Sequence, residues 1–454
     1  SINALERFIG DGGMKQKNPR PVIEKRKEKV SVIGAGPAGL SCAYFLARKG
    51  YGVTIYESAS EPGGMLRYGI PAYRLPRRIL DQEVERILSM GAEIRTGEML
   101  ESSDIEELGA RGAVFIATGS WIETRPNIKG DGQGKIWAGL TFLRQVNGGY
   151  KPRIGRRVIV IGGGNTAVDS ARTARRLGAK VTVLYRRAKE DMPAIPAEVE
   201  EAEREGVEFI FQAAPVEISG TYGMADGVRY ARTRPGKPDA SGRRTPVIVK
   251  GQTLSLKADA VILAVGETAD LSLLPQRIET AGGLIAADPW GRTSRPGFFA
   301  GGDAATGDGY VSKAIASGRN AASAIHRYFN GETSEPRGDL REIVTSDKIN
   351  LDYFSRQKRV KTAPVDVKKR KGTFKEVHPG LSAAQAKKEA QRCFSCGSCI
   401  QCNVCLMVCP DVAIYYSENE KEYRVDYDHC KGCGICAVEC PRSAMSLEEE
   451  KWSE

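Results

Sequence analysis

The sequence predicts an α/β chain: two doubly wound, parallel-sheet domains, the first interrupted by the second, then a small α+β domain. Two observations carry the larger part. A strand, a glycine-rich turn, a helix and a second strand follow one another at 30–57 and again at 157–187. A third observation fixes the small domain: ten of the eleven cysteines fall between 393 and 440, eight of them in two runs of one spacing. At ~150 residues per domain, the 454 residues hold about three domains.

The first glycine turn has its full setting. Val30-Ser31-Val32-Ile33 is a short apolar strand that runs into Gly34-Ala35-Gly36-Pro37-Ala38-Gly39 and a helical stretch over 40–49. The next strand, 53–56, ends at Glu57, 23 residues after Gly34. In a dinucleotide-binding turn Gly34 makes the bend, Gly36 admits the pyrophosphate and Gly39 lets helix and strand pack closely. The helix N-terminus takes the phosphates and the acid binds ribose hydroxyls. A bare glycine pattern is weak; strand, helix and acid together make this Rossmann-like reading specific.

The pattern repeats at 157–161, followed by Gly162-Gly163-Gly164-Asn165-Thr166-Ala167, a helix to Leu177 and a strand at 181–184. Here Tyr185-Arg186-Arg187 stands where the ribose acid would be. Guanidinium groups at that position favour a 2′-phosphate, hence NADP(H), with NAD(H) as the alternative. The bland reading of Arg186 and Arg187 is a pair of surface charges.

Two nucleotide sites imply two nucleotides. After the first comes Glu61-Pro62-Gly63-Gly64-Met65-Leu66-Arg67-Tyr68-Gly69-Ile70-Pro71, a stretch suited to close approach of a flat ring. Much later, Phe298-Phe299-Ala300-Gly301-Gly302-Asp303-Ala304 places an acid after a strand, before a helical stretch over 311–324. Asp303 there can accept from a ribityl hydroxyl of FAD, and the helix dipole favours negative charge on a reduced flavin. Ala117-Thr118-Gly119-Ser120 and Ala264-Val265-Gly266-Glu267 each end an apolar strand and read as the two crossovers between domains.

The cysteine runs are Cys399-x2-Cys402-x2-Cys405-x3-Cys409-Pro410 and Cys430-x2-Cys433-x2-Cys436-x3-Cys440-Pro441. Three thiolates on one turn hold three corners of an iron–sulfur cube, and the fourth, before proline, ligates the other cube. The eight cysteines therefore predict a ferredoxin-like domain with two [4Fe–4S] clusters. Cys393 and Cys396 extend the same rhythm upstream, as spare, alternative-register or third-site thiols. Cys42 reads as a small buried hydrophobe.

Charge is unevenly divided. From Gln391 onward six Lys/Arg face eleven Asp/Glu, a balance of −5, so the rest of the chain carries +16 within a net +11. A basic body and an acidic electron carrier suit docking by electrostatic complementarity, either internally or to an acidic redox partner. The basic run at 358–371 reads as a solvated linker; it lacks interleaved aromatics and a binding fold, so no nucleic-acid partner is expected. No apolar run reaches the ~18 residues of a membrane span and no signal pattern is present. Oxygen-sensitive clusters and exposed thiolates fit a reducing cytoplasm. The chain opens Ser1-Ile2-Asn3 without methionine, as a processed or truncated form would.

GAGPAGL, EPGGMLRYGIP, IGGGNTAVDSART, LYRRAKEDMPA and FFAGGDA, in this order over residues 1–330, resemble the flavoprotein (small) subunit of glutamate synthase and its relatives. Those relatives include the flavoprotein half of dihydropyrimidine dehydrogenase. The resemblance implies FAD at Gly34, Gly36, Pro37, Ala38, Gly39, Glu57, Gly64, Met65, Gly69, Thr118, Gly119, Gly302 and Asp303. By the same carry-over, Gly162, Gly164, Asn165, Thr166, Ala167, Arg186 and Arg187 hold NADP(H). Three departures matter. The family's N-terminal cysteine-rich cluster domain has no counterpart before Cys42, and 379–396 resembles that domain's leading motif moved to the tail. The pyrimidine-binding barrel is also absent.

The expected layout is an N-terminal extension at 1–29 and the FAD domain in two parts at 30–125 and 267–330. The NAD(P)H domain at 150–266 lies between them, with a basic linker at 331–390 and the two-cluster domain at 391–454. The expected function is an NAD(P)H-dependent flavin/iron–sulfur oxidoreductase with no catalytic acid–base residue, since the cofactors carry the chemistry. No CxxC pair stands in 1–390 to run a dithiol route beside the flavin. An electron-bifurcating subunit and a non-catalytic relay scaffold are the alternatives. The expected partner is a larger redox enzyme, of 2-oxoacid oxidoreductase or sulfite reductase type, with this chain an oligomer or complex subunit.

Overall fold

The computed structural model describes residues 1–15, 23–239, 242–332 and 343–449. The chain divides into two compact units: Lys17–Pro336 with Pro364–Pro379, and Ser1–Gln16 with Arg337–Ala363 and Gly380–Glu454.

In the larger unit, two five-stranded parallel sheets share one plan. The first runs in the order Phe298–Ala300, Ala113–Ile116, Lys29–Ile33, Gly52–Glu57, Glu93–Thr96. Its central strands are apolar on both faces because helices cover both, as parallel sheets require. Val32, Ile55, Phe115 and Leu46 are fully buried, each contributing roughly 1.5–3 kcal/mol. Helix Pro37–Ala47 buries Ala38, Gly39, Leu40, Cys42, Ala43 and Leu46. Helix Val311–Phe329 lies so close to it that a Cβ on Gly318 would stand 2.1 Å from the Ala38 carbonyl oxygen.

The second sheet runs Ile136–Ala138, Ala260–Leu263, Arg157–Ile161, Lys180–Leu184, Glu208–Ile210. Its outer strand lies upstream of the boundary expected at 150, because a three-residue edge strand carries too little pattern to be seen. Between Glu208–Ile210 and Ala260–Leu263 comes an antiparallel sheet that the sequence reading missed, Ala213–Thr221, Met224–Pro238 and Arg244–Lys257. Tyr222 and Gly223, both at positive φ, turn its first hairpin. The two crossovers pair with each other, Ser120–Glu123 against Glu267–Ala269, with Glu123 opposite Glu267.

Residues 364–379 correct the linker reading. Arg370 is only 4% exposed and pairs with Glu201 and, at 3.1 Å, with Glu205. The Val377 N–H donates to the Tyr73 carbonyl at 3.0 Å. The basic run is therefore not solvated throughout: two buried carboxylates one helical turn apart recruit one of its cations. Residues 333–342 of the expected linker lie outside the described residues.

In the smaller unit, helix Ile2–Gly13 lies against helix Ala383–Ala390, so the expected extension at 1–29 does not behave as one piece. The second helix starts in a reciprocal cap: Ser382 Oγ accepts from the Gln385 N–H, and Gln385 Oε1 from the Ser382 N–H. Downstream lie the short helices Val404–Val408 and Ile435–Val438 and the hairpin Ile414–Ser417/Glu422–Val425.

Candidate functional site

Around the N-terminus of helix Pro37–Ala47 the larger unit gathers residues from four stretches. Gly34 has φ +102°, and a Cβ there would lie 2.5 Å from the Ala117 oxygen. At Gly39 a Cβ would meet the Gly34 oxygen at 1.9 Å, so bend and helix touch backbone to backbone. Gly36 differs: nothing lies within 4 Å of where its Cβ would stand. This is the open approach a pyrophosphate needs. Gly64, at φ +51°, sits with its would-be Cβ 2.8 Å from Gly36 Cα, and the Gly63 N–H donates to Ala35 O at 2.8 Å.

The remaining residues of this first site arrive from three other directions. Glu57 is buried and accepts from the Ala35 and Ala59 N–H groups, each at 2.8 Å. Thr118 leaves its buried Oγ1 without a partner. Gly302, at φ +64°, packs against Ala38, and Asp303 accepts from the Gly309 N–H at 3.0 Å. Burial pushes the Asp303 carboxyl up. Met65 starts the short helix Met65–Tyr68, whose sulfur and carbonyl crowd Gly69, and Gly119 has φ +73°. Open backbone at Gly36 and an orphaned hydroxyl at Thr118 fit an FAD cradle.

The second glycine turn repeats the geometry. Gly162 bends at φ +149° with its would-be Cβ 2.0 Å from the Ala264 oxygen, and Ala167 is fully buried in the packing position. Gly164 is as open as Gly36. Gly163, by contrast, is covered by the Tyr185 ring at 2.3 Å from its would-be Cβ. Asn165 Oδ1 accepts from the Ile195 N–H at 3.1 Å and so holds the following loop. The two arginines part company. Arg186 is exposed, whereas Arg187 is buried and pairs with Asp239 at 2.6 Å. Only Arg186 thus presents an open guanidinium for a 2′-phosphate.

Glu267 was read only as part of a crossover, yet it lies between the two glycine turns. Burial pushes its carboxyl up, a hydrogen bond from Thr166 opposes this, and the charges of Glu123 and Asp303 raise it further. Glu123 in turn accepts from Leu140 N at 2.6 Å and Thr141 Oγ1 at 2.6 Å. The available signal was an acid directly after a strand–glycine end.

In the smaller unit, one cavity of about 210 Å³ is lined by Cys399, Cys402, Cys405 and Cys440, with Tyr423 and Arg442. Three thiols of the first run meet the fourth of the second. Neither Cys393 nor Cys396 lines it, which disfavours the upstream register. The converse set is signalled by Lys431, which bonds Asp411 at 3.0 Å within reach of the charges of both Cys433 and Cys409.

The runs match at an offset of 31 residues in conformation as well as sequence. Gln401 and Gly432, Asn403 and Gly434, and Val412 and Ser443 all take positive φ. The Ala413 and Ala444 N–H groups donate to Cys409 and Cys440 sulfur at 3.3 and 3.2 Å. Among the described residues no three His, Cys, Asp or Glu side chains converge on a single metal ion. Four thiols spread around an open cavity suit a cube, whose corners stand apart, better than one tetrahedral ion.

Residues 28–324 match the model of the pyridine nucleotide-disulphide oxidoreductase family, and 398–444 match a 4Fe-4S dicluster domain. The chain belongs to the pyridine nucleotide-disulphide oxidoreductase family. Membership implies FAD and NADP in the larger unit, and the dicluster match implies two [4Fe–4S] clusters in the smaller one. Among its relatives this oxidoreductase is 40% identical, over 81% of its length, to the beta subunit of an NADP(+)-dependent formate dehydrogenase from Moorella thermoacetica. It spans about half of that protein (54%). To the small chain of Escherichia coli glutamate synthase [NADPH] it is 37% identical, covering 72% of this chain and 75% of that one. FprA from Mycobacterium tuberculosis, solved with NADPH, shares the fold at TM-score 0.58 and 18% identity, over 67% of this chain and 85% of that one. No helix among the described residues is long and apolar enough to cross a membrane.

Proposed function

We propose that this chain is the NADPH-linked electron-transfer subunit of a larger redox enzyme, working in a reducing cytoplasm. When bound, FAD exchanges a hydride with the nicotinamide and single electrons with the two [4Fe–4S] clusters. The observation that carries the reading is the coexistence in one chain of two open-glycine turns and a cavity lined by four thiols from two runs.

Each residue then has a binding task. Gly34 and Gly39 hold the first turn tight, Gly36 leaves room for the FAD pyrophosphate, Pro37, which has no N–H, presets the first helical turn, and Ala38 offers its amide to the phosphate. Glu57 accepts from the adenosine ribose, and Asp303 and Thr118 take up flavin-side hydroxyl and polar groups. Gly64, Met65, Gly69, Gly119 and Gly302 shape the wall along the ring. In the second turn Gly162 and Ala167 set the bend, Gly164 faces the pyrophosphate and Arg186 binds the 2′-phosphate. Asn165 and Thr166 fix the helix start between the Ile195 loop and Glu267. Arg187 acts through Asp239 as a positioning residue. Cys399, Cys402, Cys405 and Cys440 hold one cube, and Cys430, Cys433, Cys436 and Cys409 the other.

The relatives that are subunits of formate dehydrogenase and glutamate synthase support service to a larger oxidoreductase; the ferredoxin-type acceptor is our own reading of the two cysteine runs. The test is anaerobic mixing with NADPH and NADH in turn, following flavin bleaching optically and reduced clusters by EPR. Bleaching with a new cluster signal, faster with NADPH, is the expected result. If neither nucleotide bleaches the flavin, the reading falls.

A further inference from the structure

Cys393 and Cys396 have no task in the sites above. Both are exposed, and Cys42 is the only other cysteine outside the two matched runs. They stand on a turn directly after helix Ala383–Ala390: the Cys393 N–H donates to Ala390 O at 3.0 Å, and Ser398 N–H closes back on Ser395 O at 2.9 Å. Ser395 at φ +48° and Gly397 at φ +72° bend the chain between and after the two thiols. Cys393 sulfur accepts from the Ser395 N–H at 3.4 Å and the Ser395 hydroxyl at 3.9 Å, which holds the thiol on the turn.

The turn is anchored to the wall of the four-thiol cavity. The Gly397 N–H donates to the Arg442 carbonyl at 2.8 Å. Phe394 packs on Phe354 at 4.6 Å between ring centres, and the Arg442 guanidinium lies 5.6 Å from that same Phe354 ring. Arg442 lines the cavity and keeps its buried Nε without a partner. One side of the turn thus meets the cluster site, three residues before Cys399; the other meets solvent. Neither thiol lines the cavity that Cys399, Cys402, Cys405 and Cys440 share. A dithiol needs only two sulfurs, and a two-residue gap on a tight turn lets them meet.

We propose that Cys393 and Cys396 form a reversible dithiol/disulfide centre that exchanges electrons with the adjoining cluster site. This rests on the electron-transfer reading above. In the reducing direction the S–S bond breaks as it gains two electrons, one from each reduced cluster, and two protons from the water around both sulfurs. Each cluster is thereby oxidised by one electron. In the other direction the two thiols lose two protons and two electrons, and the S–S bond forms.

The test uses the holoprotein, equilibrated with oxidised dithiothreitol and then reduced without oxygen in two arms. One arm receives NADPH and the other photoreduced deazaflavin, which supplies single electrons without a nicotinamide. Samples are read by EPR for reduced clusters, then denatured, alkylated and mapped by mass spectrometry. The expected result is a Cys393–Cys396 peptide lighter by two hydrogens before reduction, and doubly alkylated wherever EPR shows reduced clusters. Cys393→Ser and Cys396→Ser should each abolish the linked peptide and keep wild-type iron content. A disulfide that never forms, or that persists beside reduced clusters, overturns the proposal. So does loss of iron in either serine variant, which would make these sulfurs ligands. Clusters that stay oxidised with NADPH would sink the electron-transfer reading instead, while the deazaflavin arm still decides the dithiol.

Discussion

Arg74 and Asp169 meet at 2.6 Å across the seam between the two nucleotide-binding halves, the arginine from the loop after Gly69 and the aspartate from helix Asn165–Arg176. The pair is the edge of a larger buried network. Arg172 and Arg176 both pair with Glu205, and the Arg176 guanidinium lies 3.7 Å from the centre of the buried Tyr73 ring. Arg370 closes the network from residues 364–379.

Burial pushes the Asp169 carboxyl up from 3.8 to about 6, with one oxygen unpartnered. A carboxyl whose native pKa is raised binds its proton more tightly in the folded state, so its contribution to stability is lost as pH rises from about 4 to about 6. Asp169→Asn cannot ionise. Its melting temperature, compared with wild type across that window, should lack this downward slope. Parallel curves would refute the assignment.

Glu205 moves the other way. Burial alone would raise its carboxyl, but Arg176 and Arg172 hold it at about 2. Removing one cation leaves buried negative charge short of a partner, so Arg370→Ala should cost about 3–5 kcal/mol in urea unfolding. A cost below about 1 kcal/mol would restore the picture of a solvated basic linker.

The two fingerprint glycines separate folding from binding. At Gly39 a methyl group would collide with backbone, so Gly39→Ala should fold poorly. At Gly36 the same change meets open space, so Gly36→Ala should keep its circular dichroism and melting temperature. It should bind FAD roughly tenfold more weakly, about 1.4 kcal/mol. Equal FAD affinity in Gly36→Ala and wild type would remove the pyrophosphate from this turn.

Much of this was legible beforehand, for a physical reason. Glycine turns, their strands and the cysteine runs are local patterns, and local geometry at Gly34, Gly36 and Gly39 follows from them. Tertiary pairing was not legible. That Arg187 turns inward to Asp239 while Arg186 stays outside depends on a residue 52 positions away. Arg370 finding Glu201 and Glu205 is the same kind of event, and Glu267 gains its setting only when the two crossovers pair.

For nucleotide choice, Arg186→Ala should raise KM for NADPH about 10- to 100-fold, the loss of one charge-assisted bond of roughly 1.5–3 kcal/mol. KM for NADH should stay put. Arg187→Ala should instead lower thermal stability, because the ion pair that buried Arg187 makes with Asp239 is lost. Identical KM changes for both nucleotides in Arg186→Ala would argue against a 2′-phosphate contact.

Crossed ligation makes a counterintuitive prediction for Cys440→Ser. Although Cys440 belongs to the second run, its loss should empty the site of Cys399, Cys402 and Cys405 and spare the other. Iron analysis should fall by about half. EPR of the reduced variant should lose the coupling between two clusters and show one isolated signal. Retention of both clusters would undo the crossed assignment.

The order in which the chain visits its two units has a biosynthetic consequence. It passes from the smaller unit at Ser1–Gln16 to the larger, back at Arg337–Ala363, out again at Pro364–Pro379 and back at Gly380–Glu454. No single cut can therefore yield the two units as separate gene products. Helix Ile2–Gly13 is translated long before Ala383–Ala390, against which it rests, so the smaller unit is completed only after the larger one has been made. Iron loading of the eight thiols therefore waits until the larger unit has been made.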